Sequence, residues 1–254
     1  FFKRGRMKKY LLIFLIMIIW ITGSYFSLWN SYIIPYPEKV FFTAVKLLKT
    51  GELFKHMFTS ISRIFFGFSI TVILAVPSAV IFGMFPKIYN YFKSILEFMR
   101  HTPPLALIPM IILWFGIGEF SKITIIILAS FFPVFLNTLK GIESCDKKLI
   151  EVGQVFNFTK YEIFRKIILP SAVPDILNGI KLGIGYSWRA IIGAEMIAAS
   201  SGIGYLILDG QQMSRSDVVV VGIFSIGIFG SFTDYVCSKV IERCIRKRGI
   251  FYEK

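Results

Sequence analysis

Long runs of apolar residues recur along the chain, separated by shorter polar stretches. A run of roughly 20 apolar residues is the length an α-helix needs to cross about 30 Å of hydrocarbon. Backbone groups in lipid must pair within their own segment, so each run is predicted to be a helix. The predicted spans lie near residues 10–29, 60–83, 95–117, 120–139, 176–199 and 217–237.

The connections between these runs predict the orientation of the chain. Most Lys and Arg residues fall on one set of connections, which also holds both chain ends, and this set is expected to be cytoplasmic. The expected parts are a basic cytoplasmic N-terminus (1–9), an uncleaved first transmembrane helix (10–29), an external loop (30–59), a core of five transmembrane helices (60–241) and a basic cytoplasmic tail (242–254). Within the external loop, Phe41 to Leu48 is amphipathic and is expected to lie on the membrane surface.

Proline residues interrupt the third predicted span. Pro103, Pro104 and Pro109 lack backbone donors and clash with the preceding turn, so this part of the span is expected to be kinked or unwound. Irregular backbone at membrane depth is tolerated where it lines a cavity, which makes these prolines, with Trp114 beyond them, candidates for the wall of a transport path. The alternative is a kink that only shapes helix packing.

Composition agrees with a membrane protein and narrows its class. The 254 residues are 55% hydrophobic, and the mean hydropathy is +0.68. The net charge of +14 could suggest nucleic acid as a partner, but the basic residues flank apolar spans and form no stripe with exposed aromatics. Three cysteines and two histidines make no metal-binding or disulfide pattern. We therefore expect membrane lipid around the chain, no nucleic acid and no metal.

The charged connection at 140–175 is too long for a simple turn between two spans. Asp146 is positioned to cap a helix whose apolar residues Leu149, Val152 and Phe156 share one face. Asn157 then tolerates the left-handed conformation that ends a helix.

A second short helix is predicted directly afterwards. Thr159 and Glu162 have capping-box spacing, and Phe164, Ile167 and Ile168 form an apolar stripe before Pro170, which is expected to stop the helix. Such an amphipathic elbow is suited to docking into a groove of a soluble protein. Its apolar faces could instead fold back onto the ends of the membrane helices.

The pattern Glu151-Val152-Gly153, Asn157 and Leu169-Pro170 resembles the EAA loop of binding-protein-dependent ABC importer permeases. The spacing agrees, while Val152 and Gly153 replace two alanines and Asn157 replaces a glycine. Gly153 favours helix less than Ala by roughly 1 kcal/mol, which is expected to loosen the first helix. In this resemblance Glu151, Val152, Gly153, Asn157, Phe164, Leu169 and Pro170 form the loop that couples to an ATPase.

The resemblance extends over about 60–246 and is similar to the nitrate, sulfonate and taurine permease branch. The segments that carry it are Pro103 to Pro109, Leu113 to Gly118, Phe132-Pro133 with Leu136 to Thr138, and Ala194 to Met196 with Ala199 to Ile207. It implies an all-α, MetI-like type I importer fold in the bacterial inner membrane. It also implies three partners: an ATP-binding cassette ATPase, an external solute-binding protein and a second permease copy. A permease for a thiamine precursor or another small molecule would share these features.

The chain is not expected to be an enzyme. It contains no G-x-x-x-x-G-K-[ST] motif, so ATP and Mg would be used by the separate ATPase and no cofactor would bind here. An ion-coupled secondary transporter would show acidic groups at the middle of several spans, whereas Glu195 is the one carboxylate placed well inside a predicted span. An intramembrane enzyme would need a clustered nucleophile and base, which the sequence lacks.

Arg189 and Glu195 are candidates for the transport path because ionisable groups inside a span usually face a cavity or each other. Their six-residue spacing places them about 120° apart on a helix, so a direct pair is not expected. Arg189 could meet an anionic substrate, or could have a structural role. Glu151 is expected to make polar contacts that fix the elbow or its partner, unless it is simply an exposed carboxylate.

Overall fold

The structure is a computed structural model that describes residues 2–247, within which the secondary structure is helical and no strand occurs. The predicted basic tail (242–254) therefore lies largely outside the described residues. Eleven α-helices occur in the described part of the chain: α1 (Phe2–Tyr25), α2 (Pro37–Lys49), α3 (Glu52–Met84), α4 (Pro86–His101), α5 (Ile108–Phe115), α6 (Glu119–Glu143), α7 (Lys147–Val155), α8 (Lys160–Ile163), α9 (Leu169–Ala198), α10 (Ile203–Gln212) and α11 (Ser216–Lys247).

Four of these segments are long and apolar enough to cross a membrane: α3, α6, α11 and the stretch from Lys160 through α9. The pair α4 and α5 together forms a fifth, broken segment that bends by 83°. Helix α1 occupies the place of the predicted first span, and its apolar part among the described residues is Phe14–Tyr25. The all-helical membrane architecture predicted from the apolar runs is thus confirmed.

The centre of the fold is the crossing of α6 and α9, against which α3 packs. Gly179 on α9 lies so close to α6 that an added Cβ would be 2.8 Å from the Cβ of Asn137 and 3.2 Å from the carbonyl oxygen of Val134. An added Cβ at Gly183 would be 2.7 Å from a methyl group of Val134. Small residues at a crossing let helix backbones approach closely. Close van der Waals packing matters in a membrane because lipid is as apolar as the helix surfaces, so the hydrophobic effect does not drive the helices together.

Helix α2 has three distinct sides. Val40, Thr43 and Leu47 are buried against the rest of the protein, while Phe41 and Leu48 are exposed on a neighbouring edge. The remaining edge carries lysines, including Lys46. The segment is thus an amphipathic helix, and its position on the membrane surface stays a prediction.

Several membrane helices are longer than the apolar runs indicated, and α11 (Ser216–Lys247) continues well past the predicted end of the last span at residue 237. Helix α3 begins at Glu52, eight residues before the predicted start of the second span, because its polar first turns face the protein interior through His56 and Ser60. The fifth predicted span is preceded by helix back to Lys160. Helix α10 was not predicted, since its ten residues are too few for a span.

We predict that Gly179→Leu destabilises the protein by about 1–3 kcal/mol, because the new side chain meets α6 backbone atoms that cannot rotate away. The matched control is Gly185→Leu on the same helix, where an added Cβ has no atom within 4 Å. Thermal unfolding in detergent, followed by tryptophan fluorescence, should show a lower Tm for the first variant alone. Equal Tm values for both variants would contradict the close crossing.

Candidate functional site: an elbow, a broken span and a buried ion-pair network

The elbow, residues 146–168, consists of α7, a tight turn and α8 with a helical continuation. The Asp146 side chain accepts a hydrogen bond from the backbone N–H of Lys148 at 2.9 Å, which confirms the predicted N-cap. Asn157 has φ 54°, and the N–H of Phe158 donates to the carbonyl oxygen of Gly153 at 3.0 Å. These features are those of a Schellman ending, so Asn157 performs the left-handed turn predicted for it.

The second arm of the elbow starts at the predicted capping box. The backbone N–H of Thr159 donates to Glu162 at 3.0 Å, and the N–H of Glu162 donates to the Thr159 hydroxyl at 3.3 Å. Lys166 adds an ion pair to Glu162 at 2.9 Å. These three residues thus fix the direction in which the second arm leaves the turn.

Gly153 holds the two arms together. It is buried, and a Cβ at this position would be 2.7 Å from the terminal methyl of Ile167 and 3.3 Å from Ile163. The glycine therefore lets α7 lie close against the second arm. The prediction that Gly153 loosens α7 considered only the helix propensity of glycine. In the structure a larger residue would fit at this position only if Ile167 moved.

The expectation that Pro170 stops the second helix is wrong. The chain stays helical from Lys160 to Ala198 because Phe164–Ile168 forms one π-helical turn. In this turn the N–H of Leu169 donates to the carbonyl oxygen of Phe164. The wider turn relieves the clash that proline makes with the carbonyl four residues earlier, so Leu169 and Pro170 lie inside a continuous helix, half-buried.

The apolar face of α7 does not fold back on the membrane helices. Leu149, Val152 and Phe156 are 50%, 51% and 69% exposed, and Glu151, which lies on another side of α7, is also exposed. Among the described residues, no hydrogen bond or ion pair is formed by the Glu151 carboxylate. The elbow presents an unoccupied apolar and acidic surface.

The predicted irregularity of the third span is present at Thr102 and Pro103. Helix α4 ends at His101, both residues are extended, and a 3-10 turn over Pro104–Leu107 leads into α5. Pro109 lies in the first turn of α5, where a missing N–H costs nothing, and Trp114 is exposed near its end. The prolines therefore break the span instead of only bending it.

A cavity of about 350 Å³ lies where this break meets α6 and α9. Its wall combines the polar residues Arg100, Thr102, Asn137 and Tyr186 with apolar ones. Pro104 lines it, whereas Pro103, Pro109 and Trp114 do not. Arg189 lies one turn beyond Tyr186 on α9, with its guanidinium 5.4 Å from the centre of the Tyr186 ring.

Glu195 is in a different environment from Arg189. It is fully buried, its Oε1 is 2.8 Å from Nη1 of Arg63, and its carboxylate accepts a hydrogen bond from the Ser60 hydroxyl at 2.8 Å. The absence of a direct Arg189–Glu195 pair agrees with the helical spacing. Glu195 lines none of the cavities described here, so its contribution is to join α9 to α3.

Arg63 extends this contact into a network at the end of the bundle opposite the elbow. Its guanidinium binds Glu119 at the start of α6 through two hydrogen bonds of 2.6 and 2.7 Å. It also donates to the carbonyl oxygen of Ser201 at 2.7 Å. Lys122 contacts the same Glu119 at 2.9 Å. The network balances two cations with two carboxylates across α3, α6 and α9.

Gly202, in the turn between α9 and α10, and Gly204, in the first turn of α10, make this network possible. Gly202 has φ 118°, and a Cβ there would lie 2.2 Å from the carboxyl carbon of Glu195. The N–H of Gly204 donates to Glu195 at 3.0 Å, and the N–H of Ile203 donates to Ser60 at 2.9 Å. Backbone N–H groups at the start of α10 thus complete the hydrogen bonding of the buried Glu195 carboxylate and of its partner Ser60.

Arg63, Ser60 and Glu119 are not among the site residues predicted from the sequence. A signal was present, because Ser60 and Arg63 are three residues apart, on one face of a helix, inside a predicted span. An arginine at such a position needs a partner, and the buried Glu195 was the available carboxylate. The contribution of Glu119 required the fold, since it lies outside every predicted span.

The helices, the broken span and the exposed elbow define a polytopic membrane protein of the permease class. The chain belongs to the family described as binding-protein-dependent transport system inner membrane component, whose model matches residues 67–246. It is therefore an inner membrane permease subunit of an ABC importer. This agrees with the resemblance carried by the elbow sequence.

Comparison with individual proteins indicates which branch of the family the chain resembles. It is 37% identical over 249 residues to the putative aliphatic sulfonates transport permease protein SsuC of Bacillus subtilis (strain 168), covering 98% of this chain and 90% of that protein. It is 31% identical over 218 residues to the taurine transport system permease protein TauC of Escherichia coli (strain K12), covering 84% of this chain and 79% of that protein. These similarities agree with the sulfonate, taurine and nitrate branch.

A solved structure shares the fold. The crystal structure of an amino acid ABC transporter with histidines has a TM-score of 0.64 to this chain at 17% identity, covering 80% of this chain and 97% of that one. At this identity the likeness shows the fold alone. It confirms the expected importer-type arrangement of helices.

We predict that Glu195→Gln lowers the free energy of unfolding by about 3 kcal/mol, because it leaves the buried Arg63 guanidinium without one of its two anions. The matched control is Asp234→Asn, which removes the exposed ion pair to Lys181, a kind of contact that contributes roughly 0–1 kcal/mol. Thermal unfolding of both variants in detergent checks the difference. If Glu195→Gln melts at the same temperature as the control, the network is not a major source of stability.

Proposed function

We propose that this chain, with a second copy of itself, forms the transmembrane path of an ATP-driven importer for a small anion such as a sulfonate, taurine or nitrate. An external solute-binding protein delivers the substrate. A separate ATP-binding cassette ATPase uses ATP and Mg, and this chain binds neither and is not an enzyme. The observation that carries the proposal is the elbow. Its apolar face is exposed, its Glu151 carboxylate forms no hydrogen bond or ion pair with the described residues, and the chain belongs to the permease family.

The elbow is the contact with the ATPase in this proposal. Leu149, Val152 and Phe156 would enter an apolar groove, as amphipathic helices do in other complexes, and Glu151 would bind a donor at its rim. Gly153 and Asn157 maintain the angle between the arms. Phe164 begins the π-helical turn at the end of the elbow, and Leu169 and Pro170 are the first residues of α9, so movement of the ATPase would be transmitted to α9 as a rigid-body change.

The path itself is proposed to follow the broken third span and the adjacent face of α9. Pro103, Pro104 and Pro109 create the break, Trp114 continues its exposed side, and Arg189 supplies positive charge. Glu195 supports the path indirectly, by holding α9 to α3. The similarity to sulfonate and taurine permeases and the positive charge both favour an anionic substrate.

We predict that Glu151→Lys reduces both co-purification with the ATPase and ATPase stimulation by the loaded binding protein at least tenfold, because it places a cation where the elbow presents an anion. Glu143→Lys is the matched control, since Glu143 is also exposed and lies at the end of α6, just before the elbow. Assembly is measured by affinity purification and hydrolysis in proteoliposomes. Wild-type coupling in Glu151→Lys would contradict the assignment of the elbow.

Both chain ends are proposed to be cytoplasmic. In a variant with Cys145, Cys237 and Cys244 replaced by Ser, we predict that a membrane-impermeant maleimide added to whole cells labels Lys46→Cys on α2 but not Lys147→Cys on the elbow. Both positions are exposed in the structure, so labelling reports the side of the membrane. Labelling of Lys147→Cys in intact cells, with none at Lys46→Cys, would reverse the orientation.

A further inference from the structure

Three successive backbone N–H groups at the start of α10 are bound by side chains of other helices. A helix leaves its first N–H groups without partners inside the helix, so each needs an acceptor from elsewhere. The acceptors are the imidazole Nδ1 of His56 for Gly202 at 3.1 Å, the hydroxyl of Ser60 for Ile203 at 2.9 Å and the carboxylate of Glu195 for Gly204 at 3.0 Å. Helices α3 and α9 together thus hold the turn that leads into α10.

His56 differs from the other two acceptors in its acid–base chemistry. An imidazole ordinarily gains a proton near pH 6.5, about two units above a carboxylate, and a serine hydroxyl gains none in this range. The Nδ1 atom accepts a hydrogen bond only while it carries no proton, since the protonated ring is a donor at both nitrogens. Protonation at this atom would set one donor against another, the N–H of Gly202. The bond is therefore present at neutral pH and is lost as the pH falls below about 6.5.

The surroundings of the ring can accept its charged form. His56 is buried, at 7% exposure, and its ring stacks on that of Tyr205 with 5.8 Å between the ring centres. Glu195, which lies beyond Ser60, is already paired with Arg63. The other charged groups that act on the ring are two carboxylates and one ammonium group: Glu52 and Lys55 on α3 and Asp209 on α10. A protonated ring thus exchanges its bond to the backbone for attraction to two carboxylates.

We propose that His56 is an acid-sensitive latch on the turn between α9 and α10. At neutral pH the uncharged ring holds Gly202, whose φ of 118° leaves room for the Glu195 carboxylate. On protonation the ring releases Gly202, and the turn keeps only the bonds to Ser60 and Glu195, so the start of α10 loosens. In the proposed orientation this end of the bundle faces the outside of the cell. The response to external pH rests on that proposed orientation, whereas the latch itself does not.

The first test compares His56→Asn with wild type. The asparagine side-chain oxygen stands close to the place of Nδ1 and accepts a hydrogen bond at every pH. His101→Asn is the matched control, because it removes the other of the two histidines in the chain, which is exposed. Between about pH 7.5 and about pH 5.5, we expect the Tm in detergent to fall at least about 3 °C further in wild type and His101→Asn than in His56→Asn. Equal shifts in all three proteins would overturn the latch.

Hydrogen exchange of backbone amides, measured by mass spectrometry, locates the effect. Each pH is compared between proteins, which cancels the intrinsic pH dependence of exchange. We expect exchange over residues 202–206 to be at least fivefold faster in wild type than in His56→Asn at the acidic pH, and equal at the neutral pH. Residues 120–139 of α6 should exchange alike in both proteins. A difference spread evenly over all the helices would contradict a local latch.

A titration keeps the proposal testable even if His56→Asn does not fold. In His101→Asn, His56 is the one remaining histidine of the chain, so the Cε1–H signal of labelled histidine in NMR reports its protonation directly. The proposal requires that this titration and the faster exchange over residues 202–206 have the same midpoint. Protonation of His56 without faster exchange overturns the proposal, as does a ring that stays unprotonated until the protein unfolds.

Discussion

The ion pair between Arg63 and Glu195 is the constraint on which the arrangement of the membrane helices depends. Both groups are buried, and a buried charge without its partner costs several kcal/mol, so the two helices that carry them cannot slide past each other. Glu119 adds α6 to the same contact. The turn between α9 and α10 closes it, because Gly202 leaves space for the carboxylate and Gly204 donates to it. One network therefore sets the register of three helices.

Helix α9 links this fixed end to the elbow. It continues without a break from α8 through the π-helical turn, so the second arm of the elbow and the buried Glu195 lie on one continuous helix. Packing against α6 through Gly179 and Gly183 keeps α9 close along its length. Helix α9 therefore connects the elbow with the part of the bundle in which the cavity lies.

Charge is distributed differently at these places. At the Glu195 end the cations are neutralised within the protein, which suits a structural joint. Arg100 in the wall of the cavity and Arg189 one turn beyond Tyr186 are exposed and form no ion pair with the described residues. The broken backbone at Thr102 and Pro103 opens the cavity, and the proline residues that cause it remove donors that a continuous helix would need.

The sequence by itself determined the helical membrane class, the break near Pro103, and the two capped arms of the elbow, because apolar length, proline chemistry and capping are local properties. It also located Asn157 at the turn. Only the tertiary structure decided what Glu195 does, since its partners Ser60 and Arg63 lie more than a hundred residues away. The π-helical turn that carries the chain through Pro170 and the early start of α3 likewise depended on packing. Local sequence fixes which segments are helices, but the pairing of buried charges, which distant residues supply, decides how those helices fit together.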